Sequence, residues 1–195
     1  MRDYIMNKNI CVYSSSSEKL DRKYYDIAEK IGERIAQRGD TLVFGAGMVG
    51  TMGATARGAK KAGGRIIGVI PEVLNVRGVL YEECDALYIT PEMRSRKRML
   101  DENSDILITL PGGFGTLEEV LEVITSKQLG YHSKPIVIFN YCGYYDNLLA
   151  QFEESYSQNF AKRAFSSIYY VTDDIDDMFD YIDNYKPEAV EDKWS

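Results

Sequence analysis

The sequence predicts a doubly wound, Rossmann-like α/β fold, in which one parallel sheet carries helices on both faces. Short apolar runs of four to six residues alternate with segments of helical periodicity, as in a parallel sheet covered on both sides. Two glycine-rich segments, Gly45–Gly53 and Pro111–Thr116, each follow such a run. No internal repeat or dividing linker interrupts the 195 residues. We therefore predict a single domain over residues 1–186 and a mobile tail over residues 187–195.

The predicted strands are short and rich in β-branched residues, which suits strands that are buried on both faces. Each is followed by a turn or a helical segment, which predicts parallel rather than hairpin pairing. In chain order the strands are Ile10–Tyr13, Thr41–Phe44, Arg65–Ile70, Ala86–Ile89, Ile106–Leu110, Pro135–Phe139 and Ile168–Val171.

The predicted helices carry apolar residues on one side. In the first, Ile27, Ile31 and Ile35 recur every four residues, and Gly39 ends the helix. Pro91 suits the first position of the third helix. The helices are Glu18–Arg38, a small-residue helix from Gly45–Gly53 to Ala62, Pro91–Asn103, the segment from PGGFG to Leu129, Tyr144–Asn159 and Asp174–Tyr185.

The loops after the strands are the expected ligand site, because such folds bind ligands beyond the carboxyl ends of their strands. Four of these loops stand out by composition: Ser14–Ser17, Gly45–Gly53, Pro71–Gly78 and Pro111–Thr116. We predict that they line one crevice.

The composition excludes several classes of function. The net charge of −7 and the pI of about 4.9 disfavour a nucleic-acid polymer or an anionic membrane as partner. The single histidine, His132, rules out a multi-histidine metal site and is predicted to be structural or at a subunit contact. The scattered cysteines Cys11, Cys84 and Cys142 predict reduced thiols and a cytoplasmic protein. No apolar run is long enough to span a membrane, and the polar N-terminus is unlike a signal peptide.

The first glycine-rich segment contains the spacing GxGxxG. Gly45, Gly47 and Gly50 follow a predicted strand and precede a predicted helix, which is the context of a dinucleotide fingerprint. The acidic residue expected at the end of the next strand is poorly matched, since Pro71 and Glu72 follow that strand. A dinucleotide, another phosphate contact and close helix–strand packing all remain open.

The second glycine-rich segment, PGGFGT at Pro111–Thr116, is more informative. Gly112, Gly113 and Gly115 allow positive φ and remove side chains, so their amides can point into a shared concavity. Thr116 is predicted to cap the following helix and to donate its hydroxyl. The helix dipole favours a negative charge there, so we predict an anion site.

Two adjacent cations precede this segment. On a helical wheel Arg96 and Lys97 share a face with Met93 and Leu100, which makes burial costly without anionic partners. The two side chains either extend to solvent or face the ligand crevice.

The helix after PGGFG carries a group of carboxylates. Its predicted core face comprises Leu117, Val120, Leu121, Val123 and Ile124. Glu118 and Glu122 fall on the wet side, whereas Glu119 lies at the border of the core face, on the edge of Thr116. Glu119 is therefore either a surface carboxylate or a group that acts as a base or stabilises positive charge.

These residues resemble the Lonely Guy (LOG) family of cytokinin riboside 5'-monophosphate phosphoribohydrolases, which are often mislabelled lysine decarboxylases. The family pattern is PGGxGTxxE preceded by an RK pair, and PGGFGTLEE with Arg96 and Lys97 matches it. The resemblance covers most of the chain, including GAGMVGTMG, IGVIP, QLGYHSKPI and NYCGYYDNLL.

The resemblance implies a dimeric Rossmann-like hydrolase that cleaves the N-glycosidic bond of an N6-modified adenosine monophosphate, without metal or other cofactor. Arg96 and Glu119 match the catalytic pair. The residues implied in binding the nucleotide and its phosphate are Ser14, Ser15, Gly45, Gly47, Met52, Gly53, Lys97, Gly112, Gly113, Phe114, Gly115, Thr116, Leu117 and Glu118.

The chain departs from the family pattern at two places. Arg94 stands where the family has histidine, and Gly78 stands where a substrate-contacting glutamate is common. These departures bear on substrate preference more than on reaction class. The alternative functions are a non-catalytic nucleotide-binding module and an NAD(P)-dependent enzyme. The tyrosines, Tyr144 and Tyr145 among them, are predicted to serve the core and an interface.

Overall fold

A computed structural model describes residues 7–187 as seven strands and six helices, joined by loops and short 3-10 turns. The strands are β1 (Asn9–Tyr13), β2 (Thr41–Phe44), β3 (Arg65–Pro71), β4 (Ala86–Thr90), β5 (Ile106–Thr109), β6 (Ile136–Phe139) and β7 (Tyr170–Thr172). The helices are α1 (Arg22–Gln37), α2 (Gly50–Lys61), α3 (Met93–Glu102), α4 (Phe114–Gln128), α5 (Asp146–Ser157) and α6 (Ile175–Asn184). All seven predicted strands and all six predicted helices are confirmed.

All strand pairs in the described sheet are parallel, and the strand order is β4-β3-β2-β1-β5-β6-β7. The chain builds outward from β1 to β4 on one side and then crosses over to add β5 to β7 on the other. The predicted doubly wound Rossmann-like fold is therefore confirmed. The direction of winding reverses between β1 and β5, which is where such sheets open a crevice for a ligand.

The sheet divides two apolar layers, because alternate residues of each strand face opposite sides. Ile10 and Val12 of β1 pack in one core with α1, α2 and α6, whereas Cys11 and Tyr13 pack in the other with residues of α3 and α4. The two helices that carry the predicted catalytic pair therefore lie on the same face of the sheet, directly behind β1.

Helix boundaries differ from the predictions where side chains hold a loop. Helix α1 begins at Arg22 rather than Glu18, because the Tyr25 hydroxyl accepts a bond from the Leu20 amide and donates to the Ser17 carbonyl. Helix α3 begins at Met93 rather than Pro91, since the Ser95 hydroxyl bonds both the amide and the carbonyl of the preceding Glu92.

Two predictions concern the whole chain and can be compared with residues 7–187 only. Of the predicted tail, residues 188–195 lie outside the described residues. Within residues 7–187 no helix is both long and apolar enough to span a bilayer.

Candidate functional site

The four loops that the sequence singled out meet around one cavity of about 530 Å³ at the carboxyl ends of the strands. Its position beside β1 and β5 is the topological switch point of the sheet. Its lining comprises Ser14, Ser15, Ser16, Ser17, Gly45, Gly47, Val49, Met52, Ile70, Leu74, Val79, Met93, Arg96, Gly113, Phe114, Gly115, Thr116 and Glu119.

A buried ion pair forms the wall of this cavity between α3 and α4. The Nη1 atom of Arg96 donates to Oε1 of Glu119 at 3.0 Å, and the two side chains are only 7% and 9% exposed. The Nε atom of Arg96 donates to the Val69 carbonyl at 3.2 Å, so β3 also fixes the guanidinium. The alternative that Arg96 extends to solvent and that Glu119 is a surface carboxylate is therefore wrong.

Two opposed effects set the pKa of Glu119. Burial raises the pKa of Glu119 above its ordinary value, and the charge and hydrogen bond of Arg96 offset only part of this effect. A carboxyl group with a raised pKa beside a cavity is a common property of catalytic carboxylates.

The glycines of the GxGxxG segment are explained by packing. A Cβ atom on Gly45 would lie 1.9 Å from Nη2 of Arg96, so this position must be glycine for the guanidinium to reach Glu119. Gly50 has a φ of +66°, and a Cβ atom there would lie 2.2 Å from the Ser15 carbonyl oxygen. This segment makes room for Arg96 and for the serine loop.

The N-terminus of α2, where a dinucleotide fingerprint would place a pyrophosphate, contacts the serine loop. The Met52 amide donates to the Ser15 carbonyl at 3.0 Å, and the Ser15 amide donates to Oγ1 of Thr51 at 2.9 Å. The Met52 amide is therefore not available to an anion at this helix terminus.

The N-terminus of α4 is open by contrast. The helix begins at Phe114. Its N-cap residue is Gly113, which has no side chain to accept a hydrogen bond from the helix amides. The first amides of a helix have no carbonyl partner within it, so those of Phe114, Gly115 and Thr116 are available to an anion. A Cβ atom at Gly113 or Gly115 would meet nothing within 4 Å, so internal packing does not require glycine at either position.

Two details of the predicted anion loop are corrected. Thr116 does not cap the helix, because α4 starts two residues earlier, and its hydroxyl donates instead to the Ser14 carbonyl at 3.2 Å. Gly112, Gly113 and Gly115 do not adopt positive φ. A Cβ atom on Gly112 would lie 2.2 Å from Oγ1 of Thr116, so packing requires glycine at that position. At Gly113 and Gly115 the missing side chain leaves the backbone open to the cavity.

The side-chain hydroxyl of Ser14 forms no hydrogen bond with another described residue. Its Oγ atom is buried and has no hydrogen-bond partner among the described residues, although Ser14 borders the cavity. Buried hydroxyl groups are nearly always bonded, so an unpaired one at a cavity indicates a site for a ligand or a water molecule.

Lys97 lies apart from the predicted phosphate site. Its ammonium group pairs with Glu118 and with Glu122, the latter at 2.7 Å, on the outer side of the α3–α4 contact. It does not border the cavity, and neither do the predicted binding residues Gly53, Gly112, Leu117 and Glu118. The prediction that Lys97 faces the ligand crevice is wrong, because Lys97 pairs instead with two carboxylates that lie one turn apart on α4.

The sequence interpretation missed the apolar part of the lining. Val49, Ile70, Leu74, Val79 and Met93 form this part. Leu74 and Val79 lie on the loop after β3. This loop is held against the GxGxxG segment by two backbone bonds, from the Met48 amide to the Val79 carbonyl and from the Tyr81 amide to the Ala46 carbonyl. Their apolar character within an otherwise irregular loop was the available signal.

A larger cavity of about 970 Å³ lies at the opposite edge of the sheet, beside the amino ends of the strands. Its charged groups already bind one another: Arg38 pairs with Asp40 and Asp183, and Lys134 pairs with Asp101. Among residues 7–187, the helices that cross between parallel strands begin at the other edge of the sheet, beside the smaller cavity.

The lone histidine has a structural role, as predicted. His132 Nε2 lies 3.0 Å from the Val123 carbonyl, and Nδ1 accepts from the Lys134 amide at 3.2 Å. Burial lowers the pKa of His132, which favours the neutral tautomer that both bonds require. Among residues 7–187, no group of three His, Cys, Asp or Glu side chains has the arrangement of a metal site.

The two residues that depart from the family pattern, Gly78 and Arg94, lie in different settings. Gly78 has a φ of +88°, so a glutamate there would be strained in this loop conformation. Arg94 is exposed at the start of α3 and does not border the cavity.

Comparison with known proteins agrees with this geometry. A family model described as "possible lysine decarboxylase" matches residues 52–182. A probable cytokinin riboside 5'-monophosphate phosphoribohydrolase of Oryza sativa subsp. japonica is 36% identical over 180 residues, covering 92% of this chain and 79% of the relative. A second probable enzyme of this name, from Arabidopsis thaliana, is 35% identical over 93% of this chain and 90% of its own. The chain belongs to the LOG family.

Solved structures show the same fold at low sequence identity. The molybdenum cofactor carrier protein of Chlamydomonas reinhardtii aligns with a TM-score of 0.70 and 21% identity, over 91% of this chain and 97% of its own. A molybdenum cofactor binding protein of Rippkaea orientalis aligns with a TM-score of 0.68 and 22% identity, over 92% and 97%. At this identity the likeness concerns the fold, which the LOG family member shares.

The two arginine–glutamate pairs of α3 test the importance of burial. We expect Arg96→Leu to lower the free energy of unfolding by about 3 kcal/mol or more, because it leaves Glu119 buried without its partner. Arg98→Leu removes an exposed pair with Glu102 at 2.7 Å and should cost less than about 1 kcal/mol. Urea unfolding of both variants measures the difference, and equal losses would contradict the assignment of Arg96 as a buried anchor.

Proposed function

We propose that this protein hydrolyses the N-glycosidic bond of a nucleoside 5'-monophosphate, releasing the free base and ribose 5-phosphate. The observation that carries the proposal is the Arg96–Glu119 pair beside the cavity, one helical turn beyond the open N-terminus of α4. The relatives are named as probable phosphoribohydrolases, which supports the same reaction.

The spacing along α4 suits such a substrate. A rise of 1.5 Å per residue places Glu119 roughly 5 to 8 Å along the helix from the amides of Phe114 to Thr116. The phosphorus and C1' of a nucleoside 5'-monophosphate are separated by five bonds, a span of similar size. A phosphate held by these amides therefore brings C1' close to Glu119 and fixes the register of the sugar.

The chemistry follows from the charge that develops at C1'. As the C1'–N bond breaks, its electron pair goes to the base and positive charge builds on the sugar, next to the carboxylate of Glu119. Glu119 stabilises this charge and takes a proton from the water whose oxygen bonds to C1'. The base takes up one proton, so that one water is consumed for each bond cleaved. Arg96 orients Glu119, because its guanidinium bonds that carboxylate and the Val69 carbonyl.

We further propose an adenine that carries an apolar N6 substituent as the base. The cavity lining includes the apolar side chains of Val49, Leu74, Val79 and Met93, which favour an apolar group on the base. Ser14, whose hydroxyl is unpaired, is available to the sugar or the base.

The alternative functions fit the site less well. An NAD(P) enzyme uses the N-terminus of α2, where the Met52 amide already donates to the Ser15 carbonyl. A pyridoxal phosphate enzyme, as the words "lysine decarboxylase" would suggest, needs a lysine at its cofactor. The described lining of the cavity contains none, so its residues do not fit that group. A non-catalytic nucleotide-binding module would use the same loops without turning over its ligand.

Incubation with AMP and with N6-isopentenyl-AMP tests the reaction, with free base and ribose 5-phosphate measured by chromatography. We expect both products in equal amounts, and a larger kcat/KM for the N6-substituted nucleotide. Glu119→Gln should lower kcat by about 10²- to 10⁴-fold. The matched control is Glu102→Gln, a glutamate that pairs with an arginine on the surface of α3 and should keep full activity. Saturable AMP binding without products would instead support the binding module.

The protonation of Glu119 can be measured directly. Because burial raises the pKa of its carboxyl group, we expect Glu119 to titrate above the ordinary value of 4.5 in the free protein. The ionised form that acts as a base is then lost at a higher pH than for an exposed glutamate. The ¹³C carboxyl resonance that disappears in Glu119→Gln reports the midpoint, and a midpoint at or below 4.5 would contradict the proposed environment.

We also propose a homodimer, formed through α4. Phe114, Leu121 and Leu129 are exposed, at spacings of seven and eight residues that place them on one side of the helix. The exposure of Leu121 corrects its predicted place on the core face. Light scattering should give twice the mass of the chain, and Leu121→Glu should shift the mass toward the monomer, while a monomeric wild type would refute the proposal.

The proposed compartment is the cytoplasm. In the described region Cys11, Cys84 and Cys142 are free thiols, and burial raises the pKa of Cys11 to about 12, which keeps it protonated and unreactive. Free thiols of this kind are typical of a reducing compartment.

A further inference from the structure

Two consecutive tyrosines lie behind the glycine loop that joins β5 to α4. The hydroxyl of Tyr145 donates to the Leu110 carbonyl at 2.7 Å, and the hydroxyl of Tyr144 donates to the Gly112 carbonyl at 2.7 Å. Both hydroxyls therefore bind the backbone of the loop, and neither residue borders the cavity.

The tyrosines are themselves held firmly. Tyr145 is buried against Val120 and Ile138, and its amide donates to Oδ1 of Asn140 at 2.6 Å. The two tyrosine rings meet edge to face, with centroids 5.0 Å apart. The hydroxyls thus act from a fixed position on the segment that leads into α5.

The carbonyl that Tyr144 binds determines where the next loop amide points. Leu110 is followed by Pro111, which has no N–H, so Tyr145 fixes the start of the loop rather than the direction of an amide. In a trans peptide the C=O of one residue and the N–H of the next point in opposite directions. The bond from Tyr144 to the Gly112 carbonyl therefore turns the Gly113 N–H away from the tyrosine. Gly113 borders the cavity, and glycine peptides rotate freely unless something outside the loop restrains them.

We propose that Tyr144 and Tyr145 are positioning residues for phosphate recognition. Tyr145 anchors the Leu110–Pro111 peptide at the start of the loop, and Tyr144 orients the Gly112–Gly113 peptide so that the Gly113 amide joins the first amides of α4 around one anion. This inference rests on the proposed function, since it takes the 5'-phosphate of a nucleotide as the anion. It assigns the selectivity for a nucleotide over the corresponding nucleoside partly to residues that never touch the substrate.

Removal of the two hydroxyls tests the proposal, with Tyr144→Phe, Tyr145→Phe and the double variant. Each loss of a hydrogen bond should raise KM for the nucleoside monophosphate roughly 2- to 10-fold. The kcat/KM for the nucleoside without phosphate should stay within about twofold of wild type, so that the ratio of the two substrates falls. Tyr144 is half exposed, so Tyr144→Phe is expected to fold even if the other variants do not.

The matched control is Tyr156→Phe. Tyr156 is a buried tyrosine of α5 whose hydroxyl lies 3.1 Å from that of Tyr169, away from the glycine loop. We expect this variant to lose stability without a change in the substrate ratio. An unchanged ratio in Tyr144→Phe and in the double variant would overturn the proposal and leave the tyrosines a purely structural role.

Calorimetric binding of AMP and adenosine separates this proposal from the proposed reaction. If the wild type binds AMP but releases no base, the reaction fails, while a selective loss of AMP affinity in the tyrosine variants still supports the positioning role. If the variants bind AMP as tightly as the wild type does, the positioning role fails, whatever the enzyme catalyses. A wild type that does not bind AMP at all would overturn both.

Discussion

The buried ion pair between Arg96 and Glu119 is the interaction on which the arrangement of the site depends. Burying both charges is costly, and the cost is offset only when each group has good partners. Arg96 therefore bonds the Val69 carbonyl as well as Glu119, which ties α3 to both β3 and α4. The absence of a Cβ atom at Gly45 is a consequence of the same pair, because the guanidinium fills that space. The Arg96 guanidinium thus accounts for a carboxylate on α4 and for a glycine in the loop after β2.

The two glycine-rich segments look alike in sequence but differ in what their helices offer a ligand. At the N-terminus of α2 the Met52 amide donates to Ser15, while no described residue accepts from the first amides of α4. The difference arises from the loop after β1, which bonds α2 through Thr51 and Met52 and receives the Thr116 hydroxyl on Ser14. One serine loop therefore contacts both helix N-termini and takes an amide from only one of them.

Most of the fold and part of the site were predictable from sequence, because they depend on local patterns. The seven strands follow from short apolar runs, and Glu119 follows from its wheel position and its distance from PGGFG. Lys97 was misplaced, since a wheel gives the direction of a side chain but not the partner across the helix contact. The Glu118–Glu122 pair that captures Lys97 lies on another element. Tyr144 and Tyr145 were assigned only to the core and an interface because their acceptors lie more than 30 residues earlier in the chain.

The charges of the site bear on how an acidic protein would hold the proposed phosphate. Arg96 is committed to Glu119, and Lys97 to Glu118 and Glu122, so the cations of α3 nearest the cavity are already neutralised by carboxylates of α4. Attraction for the anion then comes mainly from aligned peptide dipoles, whose strength depends on their orientation rather than on net charge. Peptide dipoles act over a short range, and for that reason the direction of each loop peptide matters more here than the overall charge of −7. A loop made of glycine supplies the required closeness but not the orientation, and the orientation must come from hydrogen bonds outside the loop.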